Sequence, residues 1–169
     1  MAKSNTPCDP IAYLEVLYDQ HGPAILRYLY RLVGPRMAED VLQDTFVQAG
    51  THVDRLDGVV SPKAWLFKVA KNMASNHLRK RRVQFDIVSN TLVQSSPQED
   101  SRLKPMRKAI QTLPSNQRET VLLRWYDELS YEEIAHVLQI PLGTVRSRLH
   151  HALQKLRQQM DREMQGTVP

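Results

Sequence analysis

The sequence predicts an all-α protein: two small helical domains joined by a flexible linker, with a helix-turn-helix in the C-terminal domain. Glycine is scarce, at 6 of 169 residues. Apolar residues recur at spacings of three and four, which is the period of an amphipathic helix. This periodicity fails between residues 83 and 101, where serine, glutamine and proline give a composition typical of a linker. We therefore place the two domains at residues 1–82 and 102–169.

Proline residues mark most helix ends in the first domain. Four helical segments are expected there, over residues 10–20, 24–33, 37–52 and 62–82. Asp9 before Pro10 has the pattern of an N-cap followed by proline at the first helical position. Pro23 is expected to break or kink the chain, and thus to separate the first two segments. Ser61 before Pro62 is expected to cap the fourth helix.

The third and fourth helices of this domain each carry a polar face opposite an apolar one. The third is expected to bury Val41, Leu42, Thr45, Phe46 and Ala49, and to expose Glu39, Asp40, Gln43 and Asp44. The fourth is expected to bury Trp65, Leu66, Val69, Ala70 and Met73, and to expose Lys68, Lys71, Asn72, Ser75, Asn76, Arg79 and Lys80. The first polar face is acidic and suits a basic protein partner, whereas the second is basic and can follow a phosphate backbone.

The second domain contains the most informative motif, within four helices expected to end near residues 113, 126, 138 and 160. Ser130 and Glu133 have capping-box spacing at the start of the third of these helices. Its inward side is expected to hold Ile134, Ala135 and Leu138, and residues 139–141 form a tight connection. The last helix is expected to turn Val145, Leu149, Ala152, Leu153 and Leu156 inward. Its outward set near the N-terminus is Thr144, Arg146, Ser147, Arg148 and His151.

This arrangement is typical of a DNA-reading helix-turn-helix. The first turns of a helix that enters the major groove present side chains to the base edges, and arginine and hydroxyl groups are suitable donors. The charge pattern agrees, because residues 58–85 and 141–160 contain no acidic residue while the chain has a net charge of +5. Two solvated basic helix faces would be the alternative explanation of the charge alone.

Other site classes find no support in the sequence. Cys8 is the only cysteine, which excludes an internal disulfide and favours a reducing compartment. The six histidines show no recognised ligand spacing, so we expect no metal and no cofactor. No glycine-rich phosphate loop or catalytic triad is evident, and we expect that the protein is not an enzyme. Without a signal-peptide core or a long apolar run, the expected location is cytoplasmic, without membrane insertion.

Residues in both halves resemble a known family. Residues 129–135 (Leu-Ser-Tyr-Glu-Glu-Ile-Ala) and 143–148 (Gly-Thr-Val-Arg-Ser-Arg) resemble the promoter-reading domain of bacterial RNA polymerase sigma factors, particularly the extracytoplasmic-function (ECF) group. Response regulators share a similar helix-turn-helix, so this half alone leaves both classes open. Residues 38–46, 62–72 and 77–82 in turn resemble the N-terminal sigma domain, which response regulators lack.

The resemblance implies a role for each polar face. The acidic set Glu39, Asp40, Gln43 and Asp44 would bind the clamp helices of the β′ subunit of core RNA polymerase. The basic set of the fourth helix would read and melt the −10 promoter element, and residues 55–61 would help to capture a flipped base. The outward set of the last helix would read the −35 element. The resemblance also implies an anti-sigma factor as a further partner.

Two positions depart from the family pattern: Asn76 stands where aspartate is frequent, and His151 where arginine is frequent. The promoter sequence therefore cannot be carried over from relatives. One alternative function is a helix-turn-helix regulator that acts independently of core polymerase. Another is a protein that sequesters a sigma or anti-sigma factor.

Overall fold

The computed structural model describes residues 10–52, 61–84 and 104–165, without the side chains of residues 81–84, 104–105 and 163–165. Within these ranges every regular element is a helix, which confirms the all-α prediction. The chain divides into two compact units, residues 1–94 and 95–169. That division falls inside the predicted linker, most of which lies outside the described residues.

The described residues of the N-terminal unit form a packed set of three helices. They are α1 (Pro10–Val33), α2 (Pro35–Gly50) and α3 (Pro62–Gln84). Gly34 joins α1 to α2 with a φ of 80°, a left-handed conformation that glycine adopts without the steric cost other residues meet. Ser61 caps α3 as predicted, since its hydroxyl accepts a hydrogen bond of 3.0 Å from the backbone N–H of Ala64. Asp9, the predicted cap of α1, lies outside the described residues.

The predicted break at Pro23 is wrong, because α1 runs through it as one helix of 24 residues. Proline inside a helix costs about 3 kcal/mol through a missing hydrogen bond and a steric clash. Leu17 lies before the proline, and Ile25 and Leu29 lie after it, on the same face of α1. All three side chains are at most 2% exposed. Each such side chain contributes about 1.5 to 3 kcal/mol on burial, so continuing the helix is favoured.

The buried face of α3 is rotated around the helix axis relative to the predicted face. Its fully buried residues are Ala64, Leu66, Phe67, Ala70 and Ala74. Trp65, Val69 and Met73, predicted to be inward, are only half-buried. The Phe67 ring lies 5.2 Å from that of Tyr28 in α1, and these two are among the largest fully buried side chains of the unit. The packed stripe of α3 therefore centres on Phe67, with Trp65 at its edge.

Residues 104–165, the described part of the C-terminal unit, form four helices. They are α4 (Lys104–Thr112), α5 (Ser115–Trp125), α6 (Tyr131–Leu138) and α7 (Leu142–Gln165). The last is the longest and packs against each of the other three. Its buried face holds Val145, Leu149, Ala152 and Leu156. Leu153, predicted to be inward, is 47% exposed, because it projects from the edge of that stripe.

The inward side of α6 also needs one correction. Ile134 and Leu138 are buried as predicted, but Ala135 is only half-buried and Val137 takes the third inward position at 1% exposure. The helix ends at Leu138, and Gln139, which follows it, has a φ of 55°. A single left-handed residue turns the chain sharply after a helix, so three residues suffice to connect α6 to α7.

Candidate functional site

The acidic face of α2 is open to solvent. Glu39, Asp40, Gln43 and Asp44 are all exposed, while Val41, Leu42, Thr45 and Ala49 are buried on the other side. The Thr45 hydroxyl donates a 2.6 Å hydrogen bond to the carbonyl of Val41, which satisfies this buried polar group. Phe46 is half-buried, and its ring meets that of Tyr18 edge to face at 5.0 Å. The helix is thus fixed by one side and presents carboxylate and amide groups on the other.

The basic face of α3 is also accessible, to varying degrees. Asn72, Ser75, Arg79 and Lys80 are exposed, whereas Lys68, Lys71 and Asn76 are half-buried. One guanidinium nitrogen of Arg79 donates to the side-chain oxygen of Asn76 at 3.4 Å. The Ser75 hydroxyl donates to the Lys71 carbonyl at 2.9 Å, so its proton is used within the helix while its oxygen can still accept.

A polar contact joins α3 to the acidic face of α2. The Nε2 atom of His77 in α3 lies 2.7 Å from Oδ2 of Asp44 in α2, although the two residues are 33 positions apart. Their side chains are 29% and 53% exposed, respectively. Sequence spacing does not predict this pair, since only the packing of α2 against α3 brings the residues together.

The start of α6 is fixed by a complete capping box, as predicted. The Ser130 hydroxyl accepts a 3.1 Å hydrogen bond from the backbone N–H of Glu133, and the Glu133 carboxylate accepts one of 2.8 Å from the backbone N–H of Ser130. In addition, the Arg124 guanidinium lies 5.8 Å from the centre of the Tyr131 ring. The helix that supports α7 therefore begins at a defined residue.

The N-terminus of α7 presents the predicted recognition residues. Arg146, Ser147 and His151 are exposed, and Thr144 and Arg148 are half-buried at the margin of the packed face. Val145 and Leu149 lie fully inside on the opposite side. The backbone N–H groups of Thr144 and Val145 donate to the Pro141 carbonyl, at 2.9 and 3.2 Å. These contacts orient the first turn of α7, where a major-groove helix presents its reading side chains.

Arg118 has a role that the sequence did not predict. Its guanidinium donates to the backbone carbonyls of Ile110, Gln111 and Leu113, at 3.2, 2.5 and 2.8 Å. The last carbonyls of a helix lack partners within it, so this side chain satisfies the C-terminal end of α4. The sequence shows that Arg118 follows Leu113 and Pro114 closely, but it does not show that the Arg118 side chain points back toward the end of α4.

Some predicted features lie outside the described residues. They are Cys8 and most of the 55–61 segment. In the described part of the chain, no group of three or more histidine, cysteine or acidic residues could hold a metal ion. Nor does any described helix combine the length and apolar character needed to cross a membrane.

Comparison with known families gives the class of protein. Residues 17–83 match the model of Sigma-70 region 2, and residues 109–158 match that of Sigma-70 region 4. The first match contains the acidic and basic faces of α2 and α3, and the second contains the helix-turn-helix. The fold and its polar faces therefore define a sigma factor with regions 2 and 4.

Proteins of similar sequence indicate to which group of sigma factors the chain belongs. The chain is 35% identical over 156 residues to the ECF RNA polymerase sigma factor SigL of Mycobacterium tuberculosis, covering 86% of this chain and 88% of that protein. It is 27% identical to the ECF RNA polymerase sigma factor SigW of Bacillus subtilis, covering 90% of each. The chain belongs to the ECF RNA polymerase sigma factors.

Solved structures agree with this fold. The sigma factor RpoE from Bartonella quintana, solved with the anti-sigma factor NepR, gives a TM-score of 0.71 at 24% identity, with 88% of this chain and 97% of that chain covered. CnrH, solved with the cytosolic domain of CnrY, gives 0.63 at 27% identity, with 89% of each chain covered. As a member of this family, the protein is an alternative-type sigma factor that binds core RNA polymerase and directs promoter-specific transcription initiation.

Proposed function

We propose that each polar face described above has its own task in initiation. The acidic set Glu39, Asp40, Gln43 and Asp44 binds the β′ clamp helices of core polymerase. The basic set Lys68, Lys71, Asn72, Ser75, Asn76, Arg79 and Lys80 binds and melts the −10 element. The set Thr144, Arg146, Ser147, Arg148 and His151 reads the −35 element. The observation that carries this proposal is that each set lies on the accessible side of a helix whose other side is buried.

The chemistry of α2 supports a protein partner. Three carboxylates on one helix repel DNA phosphates, whereas they complement the basic residues of a protein surface. The Gln43 amide adds both donors and an acceptor, which help to fix the register of an interface. Because Val41 and Leu42 hold the helix from inside, the exposed face stays in place when the partner binds.

The chemistry of α3 supports contact with single-stranded and duplex DNA. Arg79 and Lys80 are exposed cations that can bind phosphates, and Asn72 can form hydrogen bonds with base edges. Melting requires bases to be held outside the stack at a cost of a few kcal/mol each. Trp65 is half-buried at the edge of the packed face of α3.

The chemistry of α7 supports sequence reading in the major groove. Arginine can donate two hydrogen bonds to guanine, and each such pair contributes about 1 to 3 kcal/mol of discrimination. Arg146 is exposed two positions before Arg148, so the two side chains leave the helix in different directions. His151 lies farther along on the same accessible side, where it can contact a phosphate or a base.

Four further properties follow as proposals. The first is the division of the chain into an N-terminal domain at 1–82, a linker at 83–101 and a C-terminal domain at 102–169. The protein acts by binding, not as an enzyme, and works in the cytoplasm where its polymerase and DNA are located. An anti-sigma factor binds the free protein. This last proposal is supported by the relative from Bartonella quintana, which was solved with the anti-sigma factor NepR.

Transcription in vitro tests the proposed function. The purified protein is added to sigma-free bacterial core polymerase and genomic DNA, and the transcript 5′ ends are sequenced. We expect new start sites that share motifs about 10 and 35 bases upstream. A control reaction with a known sigma factor shows that the core is active. If that control initiates and this protein adds no start site, the proposal is wrong and a regulator or sequestering role takes its place.

A further inference from the structure

We propose that His77 is a positioning residue, whose contact with Asp44 holds the DNA-binding end of α3 against α2. This inference rests on the proposed function, because it assigns a role next to the −10 set of α3. The contact is specific: Nε2 of His77 is 2.7 Å from Oδ2 of Asp44. A carboxylate oxygen only accepts, so the imidazole donates its proton from Nε2.

The position of His77 on α3 explains why such a contact is needed. The buried stripe Ala64, Phe67, Ala70 and Ala74 advances by three or four residues, and His77 is the next position on it. The stripe becomes polar at this point, and the neighbouring Leu78 is 40% exposed. Among the side chains that the structure describes, the buried apolar residues of α3 therefore end at Ala74. The pair of His77 with Asp44 attaches the next turn of α3 to α2.

The residues that would touch DNA lie around this turn. Asn76 precedes His77 directly, and Arg79 and Lys80 follow within one turn. A helix end without tertiary contacts frays, and an ordered end lowers the conformational cost of binding. By holding the backbone at residue 77, the pair orients Asn76, Arg79 and Lys80 before the promoter arrives.

Asp44 consequently has two roles. Its Oδ2 atom contacts His77, while 53% of its side chain remains exposed on the acidic face proposed to bind core polymerase. For this reason the test changes His77 first, because His77 lies outside the proposed polymerase-binding set. His77→Phe keeps an aromatic ring but removes the donor, and His77→Gln keeps a neutral donor but removes the ring.

The experiment measures promoter opening by the complete holoenzyme at saturating core polymerase. The promoter is one recovered by start-site mapping, with 2-aminopurine in its −10 element as the fluorescent reporter. An ion pair or hydrogen bond at this exposure contributes up to about 1 kcal/mol, which equals about a fivefold change. We expect His77→Phe to slow opening about two- to fivefold, His77→Gln to remain near wild type, and core affinity to be unchanged in both.

A double-mutant cycle shows whether the effect passes through Asp44. In an Asp44→Ala background the contact is already absent, so His77→Phe should have no additional effect on opening. Asp19→Asn, an exposed acidic position on α1, is the matched control and should behave as wild type. Unfolding of each variant, followed by Trp65 fluorescence in a Trp125→Phe background, verifies that the N-terminal unit is folded.

The outcomes separate this inference from the proposed function. If the wild-type holoenzyme opens the promoter and His77→Phe opens it equally fast, the positioning role is wrong. The role is also wrong if the His77→Phe defect is undiminished in the Asp44→Ala background, or if His77→Gln is as slow as His77→Phe. If the wild-type protein opens no promoter while a control sigma factor does, the proposed function itself fails, and this role with it.

Discussion

At the scale of single residues, the features that matter most are side chains that satisfy backbone groups. Ser130 and Ser61 do so at helix N-termini, and both caps were predictable from the sequence, because a cap acts over only three residues. Arg118 does the same at the end of α4, but its carbonyl partners lie five to eight residues away across a helix junction. A sequence pattern cannot show that the guanidinium turns back toward α4.

Replacing Arg118 tests this interpretation of the α4 end. Arg118→Ala leaves up to three carbonyl groups without their charged donor, and we expect the free energy of unfolding of the C-terminal unit to fall by about 2 kcal/mol. Arg118→Lys should recover only part of this decrease, since one ammonium group cannot reproduce the planar fork of donors. Urea unfolding followed by Trp125 fluorescence, in a Trp65→Phe background, measures the change.

Arg157→Ala serves as the matched control for that prediction. Arg157 is an exposed arginine on α7 of the same unit, so its removal should change stability by less than about 0.5 kcal/mol. Equal unfolding curves for Arg118→Ala and Arg157→Ala would show that the carbonyl contacts of Arg118 do not stabilise the unit.

At the scale of elements, helix ends were easier to predict than helix faces. The α1–α2 junction at Gly34 lies between the predicted segments 24–33 and 37–52. The buried face of α3 was predicted incorrectly because residues 64–74 carry apolar side chains on much of the circumference. Helical spacing then allows either Trp65 or Phe67 at the centre of the stripe, and only the packing with Tyr28 selects Phe67. Leu153 was also predicted to be buried but is exposed, because it lies at the edge of the buried stripe of α7.

Pro23 offers a prediction at this scale. It is exposed and lies inside a continuous helix, so its ring contributes no buried contact that alanine would remove. Pro23→Ala restores the N–H donor to the Asp19 carbonyl and removes the clash, and we expect the free energy of unfolding of the N-terminal unit to rise by about 1 to 3 kcal/mol. Trp65 fluorescence during urea unfolding, in a Trp125→Phe background, measures it.

Pro23→Gly refines the same experiment. Glycine also lacks the clash but is about 1 kcal/mol poorer than alanine inside a helix, so this variant should fall between wild type and Pro23→Ala. A decrease in stability for Pro23→Ala would indicate that the chain does bend there, as the sequence alone suggested, and that proline is favourable in the bend.

At the scale of the whole molecule, the core-binding task proposed for the N-terminal unit should be separable from the −35 task proposed for the C-terminal unit. The motifs of the N-terminal and C-terminal halves, together and in this order, were enough to predict the family from the sequence. Long-range pairs such as His77 with Asp44 were not predictable, because their partners are set by tertiary packing. The tasks are best tested with residues that take no part in the contact between α2 and α3, which favours Asp40 and Gln43 over Asp44.

We expect Asp40→Ala with Gln43→Ala to weaken core binding about tenfold or more, because truncation of an interface residue that carries binding energy costs more than about 1 kcal/mol, and about 1.4 kcal/mol equals a tenfold change. A dye attached to Cys8, the only thiol, allows core affinity to be followed by fluorescence anisotropy. Arg146→Ala with Arg148→Ala should leave that affinity unchanged. Its holoenzyme should instead bind a promoter with an intact −35 element about tenfold or more weakly.

The variant that combines all four substitutions gives the sharpest test of the division. The two pairs lie in different units, so each should keep its own effect in the combined variant: core affinity should fall as it does for the first pair alone, and promoter binding by the saturated holoenzyme as it does for the second. Binding at several salt concentrations adds a second criterion: removal of a phosphate contact reduces the salt slope by about one, whereas removal of a base contact leaves the slope nearly unchanged. If Arg146→Ala with Arg148→Ala weakens core binding, the two units share one task, and the proposed division of labour is wrong.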